Sequence, residues 1–218
     1  MRPRAATTKM RRGRLTLVMT ADLVYIEWRT CFLKGAFRVV SSVLELIGYT
    51  PMLSLHKMTG LDIMGKAEYL NPGGSIKDRV ASYMLARAEE RGDLRPGMTI
   101  MEPTSGNTGI GIALAGVQMG YRVVIIMPEN MSEERKKIIT ALGAELILTP
   151  ACDSIAGCVC EVARRCARDP NVYVPQQFEN PDNPEIHYRT TGPEIWRQAE
   201  GRVDVFVSGL GSGGTLES

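Results

Sequence analysis

Asn71-Pro72-Gly73-Gly74-Ser75-Ile76-Lys77-Asp78-Arg79 separates two kinds of sequence. Before it, Gly65 to Leu70 reads as a short strand. After it, Val80, Tyr83, Met84 and Ala88 recur at helical spacing to about Arg91, and Gly92 follows the helix end. A tight polar loop that joins a strand to a helix leaves N–H groups free for an anion. A lysine fixed there can do amine chemistry that a solvated surface lysine cannot. Lys77 is therefore the residue around which the chain is read.

Downstream the unit of strand, polar loop and helix recurs. Thr99 to Met101 reads as a short strand, Glu102 to Thr108 as its loop, and Gly109 to Met119 as a small-residue helix closed by Gly120. Tyr121 to Met127 is the apolar, β-branched run of a strand buried on both faces. Ser132 to Gly143 reads as a helix, Glu145 to Thr149 as a strand, Ser154 to about Arg168 as a helix and Asn171 to Pro175 as a strand. One or two helices are expected up to Gln198, then a strand Val203–Val207 and a glycine-rich loop to Thr215. Upstream, Ser42 to Ile47 reads as a short helix closed by Gly48, and Thr50 to Leu55 as extended. Alternating strands and helices predict an α/β fold, with open, mostly parallel sheets covered by helices on both faces. Sites in such folds lie at the carboxyl ends of strands, where each of these polar loops falls.

The totals narrow the function classes. The chain has 218 residues, 44% hydrophobic and 23% charged, as an ordinary globular protein does. A net charge of +2 gives no case for nucleic acid, and no apolar run has the length of a membrane span. The five cysteines fit no zinc spacing, so no metal site is expected, and they point to a reducing compartment. With only His56 and His187, both read as packing or surface residues, a Ser-His-Asp triad is poorly supported. Residues 1–41 are basic before the first acid, Asp22. A transit peptide, a disordered tail and a stretch upstream of the natural start all remain open, so a cytoplasmic location is expected, with organellar targeting as the alternative.

Three loops carry the chemistry. Thr104-Ser105-Gly106-Asn107-Thr108 offers N–H groups and hydroxyls to a carboxylate or phosphate, although the same residue types also suit a well-capped turn. Gly211-Ser212-Gly213-Gly214-Thr215 permits close backbone approach to a phosphate, or is a flexible turn; it is not a Walker loop. Gln176 and Gln177 end a strand and point to opposite sides, so one of them faces a site, or else both are loop residues.

Five motifs in order carry a family resemblance. They are Asn71 to Arg79, Glu102 to Gly111, Gln176 to Pro181, Thr190 to Trp196 and Gly209 to Thr215. Over about Ser42 to Thr215 the chain resembles the cysteine synthase (O-acetylserine sulfhydrylase) family of fold-type II pyridoxal phosphate enzymes. The resemblance implies that Lys77 holds the cofactor covalently and that Asn107 bonds its ring hydroxyl. It implies that Gly211, Ser212, Gly213, Gly214 and Thr215 form the phosphate cup. Thr104, Ser105, Gly106, Thr108 and Gln177 would bind the substrate carboxylate. The implied reaction makes L-cysteine from O-acetyl-L-serine and sulfide by β-replacement, with Lys77 as the general base. Cystathionine β-synthase, a serine sulfhydrylase and an inert truncated homologue stay open as alternatives. The implied partners are a second copy of the chain, as a homodimer, and the tail of serine acetyltransferase.

The same pattern divides the chain into a basic extension (1–41) and the start of a larger domain with the lysine loop (42–84). A smaller α/β domain with the carboxylate loop follows (85–185), and then the larger domain's return (186–218). Against the family the chain reads as truncated after the glycine loop, with the second domain incomplete and some apolar faces uncovered.

Overall fold

The computed structural model describes residues 39–217. The basic extension and Cys31 lie outside them, apart from the extension's last three residues. In chain order the elements are β1 (Met52–Ser54), α1 (His56–Thr59), β2 (Met64–Lys66), α2 (Lys77–Arg91), β3 (Thr99–Pro103) and α3 (Asn107–Gln118). Next come β4 (Arg122–Pro128), α4 (Glu133–Ala141), β5 (Glu145–Thr149), α5 (Ser154–Cys166) and β6 (Val172–Tyr173). The last are α6 (Asp182–Ile186), a π-helical turn (His187–Thr191), α7 (Gly192–Gln198) and α8 (Gly214–Glu217).

Strand β4 shows why the predicted architecture forms. Its side chains alternate between two cores, as the period of a strand requires. Val123, Ile125 and Met127 join Ala81, Leu85, Ile112, Ala113 and Ile139 from α2, α3 and α4. Val124 and Ile126 face the other way, onto Cys158 and Val162 of α5. A strand buried on both faces needs neighbours on both edges. β5 and β3 pair with it in parallel, and β6 pairs with β3, giving the order β5-β4-β3-β6. A separate antiparallel pair joins β1 to β2, with Met52 opposite Lys66. Among the described residues no helix is long and apolar enough to cross a membrane.

Helices α2 and α3 pack closely because Gly111 has no side chain. A Cβ there would stand 2.8 Å from the backbone oxygen of Lys77. The first turns of the two helices, with Lys77 and Asn107, are therefore held together.

Two predicted strands differ. Gly65 to Leu70 stops pairing at Lys66 and turns into a 3-10 helix, Glu68–Leu70. Glu68 is drawn inward to Arg79, and Asn71 closes the turn by donating to the Glu68 carbonyl. Val203–Val207 is no strand at all. A strand exists by pairing, and no described strand edge pairs with this run. Helix α2 begins at Lys77 and α3 at Asn107, earlier than their apolar periodicity suggests.

Candidate active site

Lys77 is the first residue of α2, and its backbone N–H donates to Ser75 Oγ at 3.1 Å. Behind it a buried ion network fixes the helix start. The Arg79 guanidinium lies between two carboxylates, Glu68 at 2.8 Å and Glu194 at 2.7 Å. Lys66 also reaches Glu194, at 2.6 Å. Burial would raise the Glu194 carboxyl, but hydrogen bonds from Arg79 and Lys66 hold it at about 2. The network ties β2, the 3-10 turn, α2 and α7 to one point. Breaking such a buried pair costs about 3–5 kcal/mol.

From this base the Lys77 side chain reaches the glycine loop, with Nζ 3.1 Å from Ser212 Oγ. Burial lowers the lysine pKa, which favours the neutral, nucleophilic amine. Ser212 Oγ also accepts from Asn183 Nδ2 at 2.9 Å, and that same amide donates to the Gln177 carbonyl at 2.8 Å. Asn183, at the start of α6, thus bridges the glycine loop and the glutamine. Gly214 must be glycine for this, since a Cβ there would lie 2.3 Å from Asn183 Oδ1. In the sequence Asn183 stands between Pro181 and Pro184 and carries no local sign of this role.

At the carboxyl ends of β3 and β6 the second loop meets the glutamine. Thr108 Oγ1 donates to Gln177 Oε1 at 2.6 Å, and both residues are buried. With Oε1 occupied, Gln177 Nε2 has no hydrogen-bond partner among the described residues and can donate to an anion. Gln176 is exposed, but strand alternation is not the reason: β6 ends at Tyr173, short of the predicted Pro175, and Gln176 lies in a turn with φ +56. Thr104 Oγ1 accepts from the Gly106 N–H at 3.2 Å and shapes the turn. Ser105 and Asn107 are exposed, and the Asn107 side chain makes no hydrogen bond among the described residues. The structure thus brings Lys77 to Ser212 and Thr108 to Gln177, with Asn183 linking the two pairs. It leaves Asn107 and Ser105 turned outward.

His187, read from sequence as a packing or surface residue, is buried in the π-helical turn. Its Nδ1 meets Thr191 Oγ1 at 2.9 Å, and its Nε2 lies 3.4 Å from Thr215 Oγ1 at the end of the glycine loop. Burial, with the nearby charges of Lys77 and Arg79, pushes it down to about 4, so it is neutral near pH 7. No local signal marks it, because its role comes from the fold of α6 and α7 over α2.

These residues fit pyridoxal phosphate. The half-buried Lys77 amine stands at a loop with hydroxyls on Ser212 and Thr215. Gly209 and Gly211 have open space where a side chain would stand. Asn183 Oδ1 is a buried acceptor without a partner, which a protonated ligand group can satisfy.

Comparison with known proteins agrees. A family model described as pyridoxal-phosphate dependent enzyme matches residues 43–217. Cysteine synthases of Staphylococcus aureus are 46% identical over 185 residues, covering 83% of this chain and 59% of theirs. The chain therefore spans about three fifths of the length of these curated relatives. The crystal structure of cysteine synthase from Entamoeba histolytica superposes with a TM-score of 0.80 at 41% identity, covering 90% of this chain and 58% of that one. An O-acetylserine dependent cystathionine beta-synthase from Helicobacter pylori gives 0.77 at 38%, covering 82% and 60%.

Proposed function

The chain belongs to the pyridoxal-phosphate dependent enzyme family, and from that premise we propose that it makes L-cysteine from O-acetyl-L-serine and sulfide, releasing acetate. The observation that carries this reading is the Lys77 amine, half buried, 3.1 Å from the glycine loop and linked through Ser212 and Asn183 to the Thr108–Gln177 pair. Lys77 holds the cofactor, and Ser212, Thr215 and the glycines around them hold its phosphate. When bound, pyridoxal phosphate supplies an electron-withdrawing ring.

The chain's own residues do the rest. Gln177 Nε2 and the N–H groups of the Thr104–Thr108 loop hold the amino-acid carboxylate. That anchor fixes the α-carbon relative to Lys77. Lys77 Nζ, freed when the substrate amine takes its place and lowered in pKa by burial, would take the α-proton. Asn107, exposed and uncommitted, is the donor for the cofactor's ring hydroxyl. Acetate would then leave the β-carbon, sulfide would add there, and Lys77 would return the proton to the α-carbon.

A second reading replaces sulfide with homocysteine, favoured by the likeness to the Helicobacter pylori protein. Family resemblance also supports a homodimer and the serine acetyltransferase tail as partners. The free cysteines in and beside α5 fit a cytoplasmic location. The separation of the β1–β2 pair from the four-stranded sheet supports the division into a larger and a smaller domain. Purified chain with pyridoxal phosphate, O-acetylserine and either sulfide or homocysteine tests the proposal. Cysteine formation that Lys77→Ala abolishes supports it. Turnover with homocysteine alone moves the assignment to the second reading. No turnover and no visible cofactor band would leave an inert homologue.

A further inference from the structure

Glu102 is a buried acid that the proposed chemistry does not use. It lies near the carboxyl end of β3 with 2% of its surface exposed. Among the described residues it faces backbone N–H groups and no cation pairs with it, and burial pushes its carboxyl up to about 7. A carboxylate so placed is costly unless it satisfies groups that would otherwise be orphaned.

Those groups belong to the turn that carries Gln177. Strand β6 pairs with β3 only through Thr99–Val172 and Ile100–Tyr173. Past Tyr173 the ladder stops. Pro175 has no N–H to donate, and Gln176 takes φ +56, uncommon for a residue with a side chain. Glu102 stands in for the missing ladder. Its Oε2 accepts from the Gln176 N–H at 3.3 Å, and the Gln177 N–H helps to offset the burial of its charge. Gln177 is then held through three contacts: the N–H of the preceding Gln176 by Glu102, its own carbonyl by Asn183 and its side chain by Thr108.

We propose that Glu102 is a positioning residue whose carboxylate fixes the Gln176–Gln177 backbone and so aims the Gln177 amide at the anion held by the Thr104–Thr108 loop. The aim of that amide rests on the reading of the loop as the amino-acid carboxylate site; the backbone clamp does not.

Two variants and two readouts test it. Glu102→Leu keeps the volume and removes the acceptor, while Glu102→Gln keeps an acceptor oxygen. Hydrogen exchange at the Gln176 and Gln177 amides reads the clamp without cofactor or substrate. Both amides should exchange at least tenfold more slowly in the wild type than the amide of exposed Phe178. That protection should be lost in Glu102→Leu and kept in Glu102→Gln. With O-acetylserine and sulfide, Glu102→Leu should raise KM at least tenfold with kcat within threefold and the cofactor band unchanged. Glu102→Gln should restore KM to within threefold. Fast exchange at both amides in the wild type would overturn the proposal, even if Glu102→Leu does not fold. So would an unchanged KM in Glu102→Leu, or a parallel loss of kcat and cofactor band. If the wild type turns over no O-acetylserine, the functional reading fails while the exchange data still decide the clamp.

Discussion

Strand β4 and the run Val203–Val207 are built from the same kind of sequence and end in opposite states. Both are rich in β-branched and apolar residues. Ile125 and Ile126 of β4 are fully buried, whereas Val205 is 78% and Val207 86% exposed. Their neighbours make the difference: β4 has a strand on each edge and helices on each face, and the later run has no paired edge. Local propensity marks a segment as suited to a sheet, but pairing and burial decide whether it becomes a strand.

The contrast extends to the acids in the two regions. Glu102 is buried in β3, while Asp204 is exposed. It extends also to the loops that follow. The turn Thr104–Thr108 is fixed at both ends by regular elements, β3 and α3. The glycine loop is tied down by side chains, Ser212 to Lys77 and Asn183, and Thr215 to His187.

The comparison breaks most readily on stability. Ile126→Ala should cost about 2–5 kcal/mol in urea unfolding, as large-to-small changes in a packed core do. An effect below about 1 kcal/mol would mean that β4 is not the centre of the fold. The buried acid gives the next largest effect. Its folded-state pKa lies above the unfolded one, so its contribution to stability is full below about 4.5 and is lost as pH rises through about 7. A shift of that size corresponds to about 3 kcal/mol. Glu102→Gln cannot ionise, so its unfolding free energy in urea should gain on the wild type across that window and by no more than this amount. A constant difference across pH would place the carboxyl in water.

Asn183→Ala should cost about 1–3 kcal/mol, since it removes a buried bridge and strands the Gln177 carbonyl. It should also loosen residues 211–215 in hydrogen exchange; unchanged exchange there would mean that the loop is held by something else. The smallest effect belongs to the exposed run. Val205→Ala should change stability by no more than about 0.5 kcal/mol. A larger loss would show that Val203–Val207 is buried in solution.

Much of this was legible in the sequence, for physical reasons. The parallel sheet could be read because β4 and its helices carry strong periodicity, and the loops could be read because glycine, serine and threonine cluster where strands end. Lys77, Thr108 and Gln177 could be named because their motifs are contiguous. Asn183 and His187 could not, since each acts on residues remote in sequence and each looks locally like any loop or helix residue. Glu102 lay in full view beside Pro103, but nothing local shows that the neighbouring strand stops pairing at Tyr173 and leaves N–H groups for it. The predicted strand at Val203–Val207 failed for the same reason in reverse.

Lys77 is the centre of the account, and reductive trapping tests it most directly. The chain is mixed with pyridoxal phosphate, treated with borohydride, digested and mapped by mass spectrometry. The account predicts one cofactor adduct on the peptide that contains Lys77, absent in Lys77→Ala. An adduct spread over surface lysines, or none on Lys77, would contradict it.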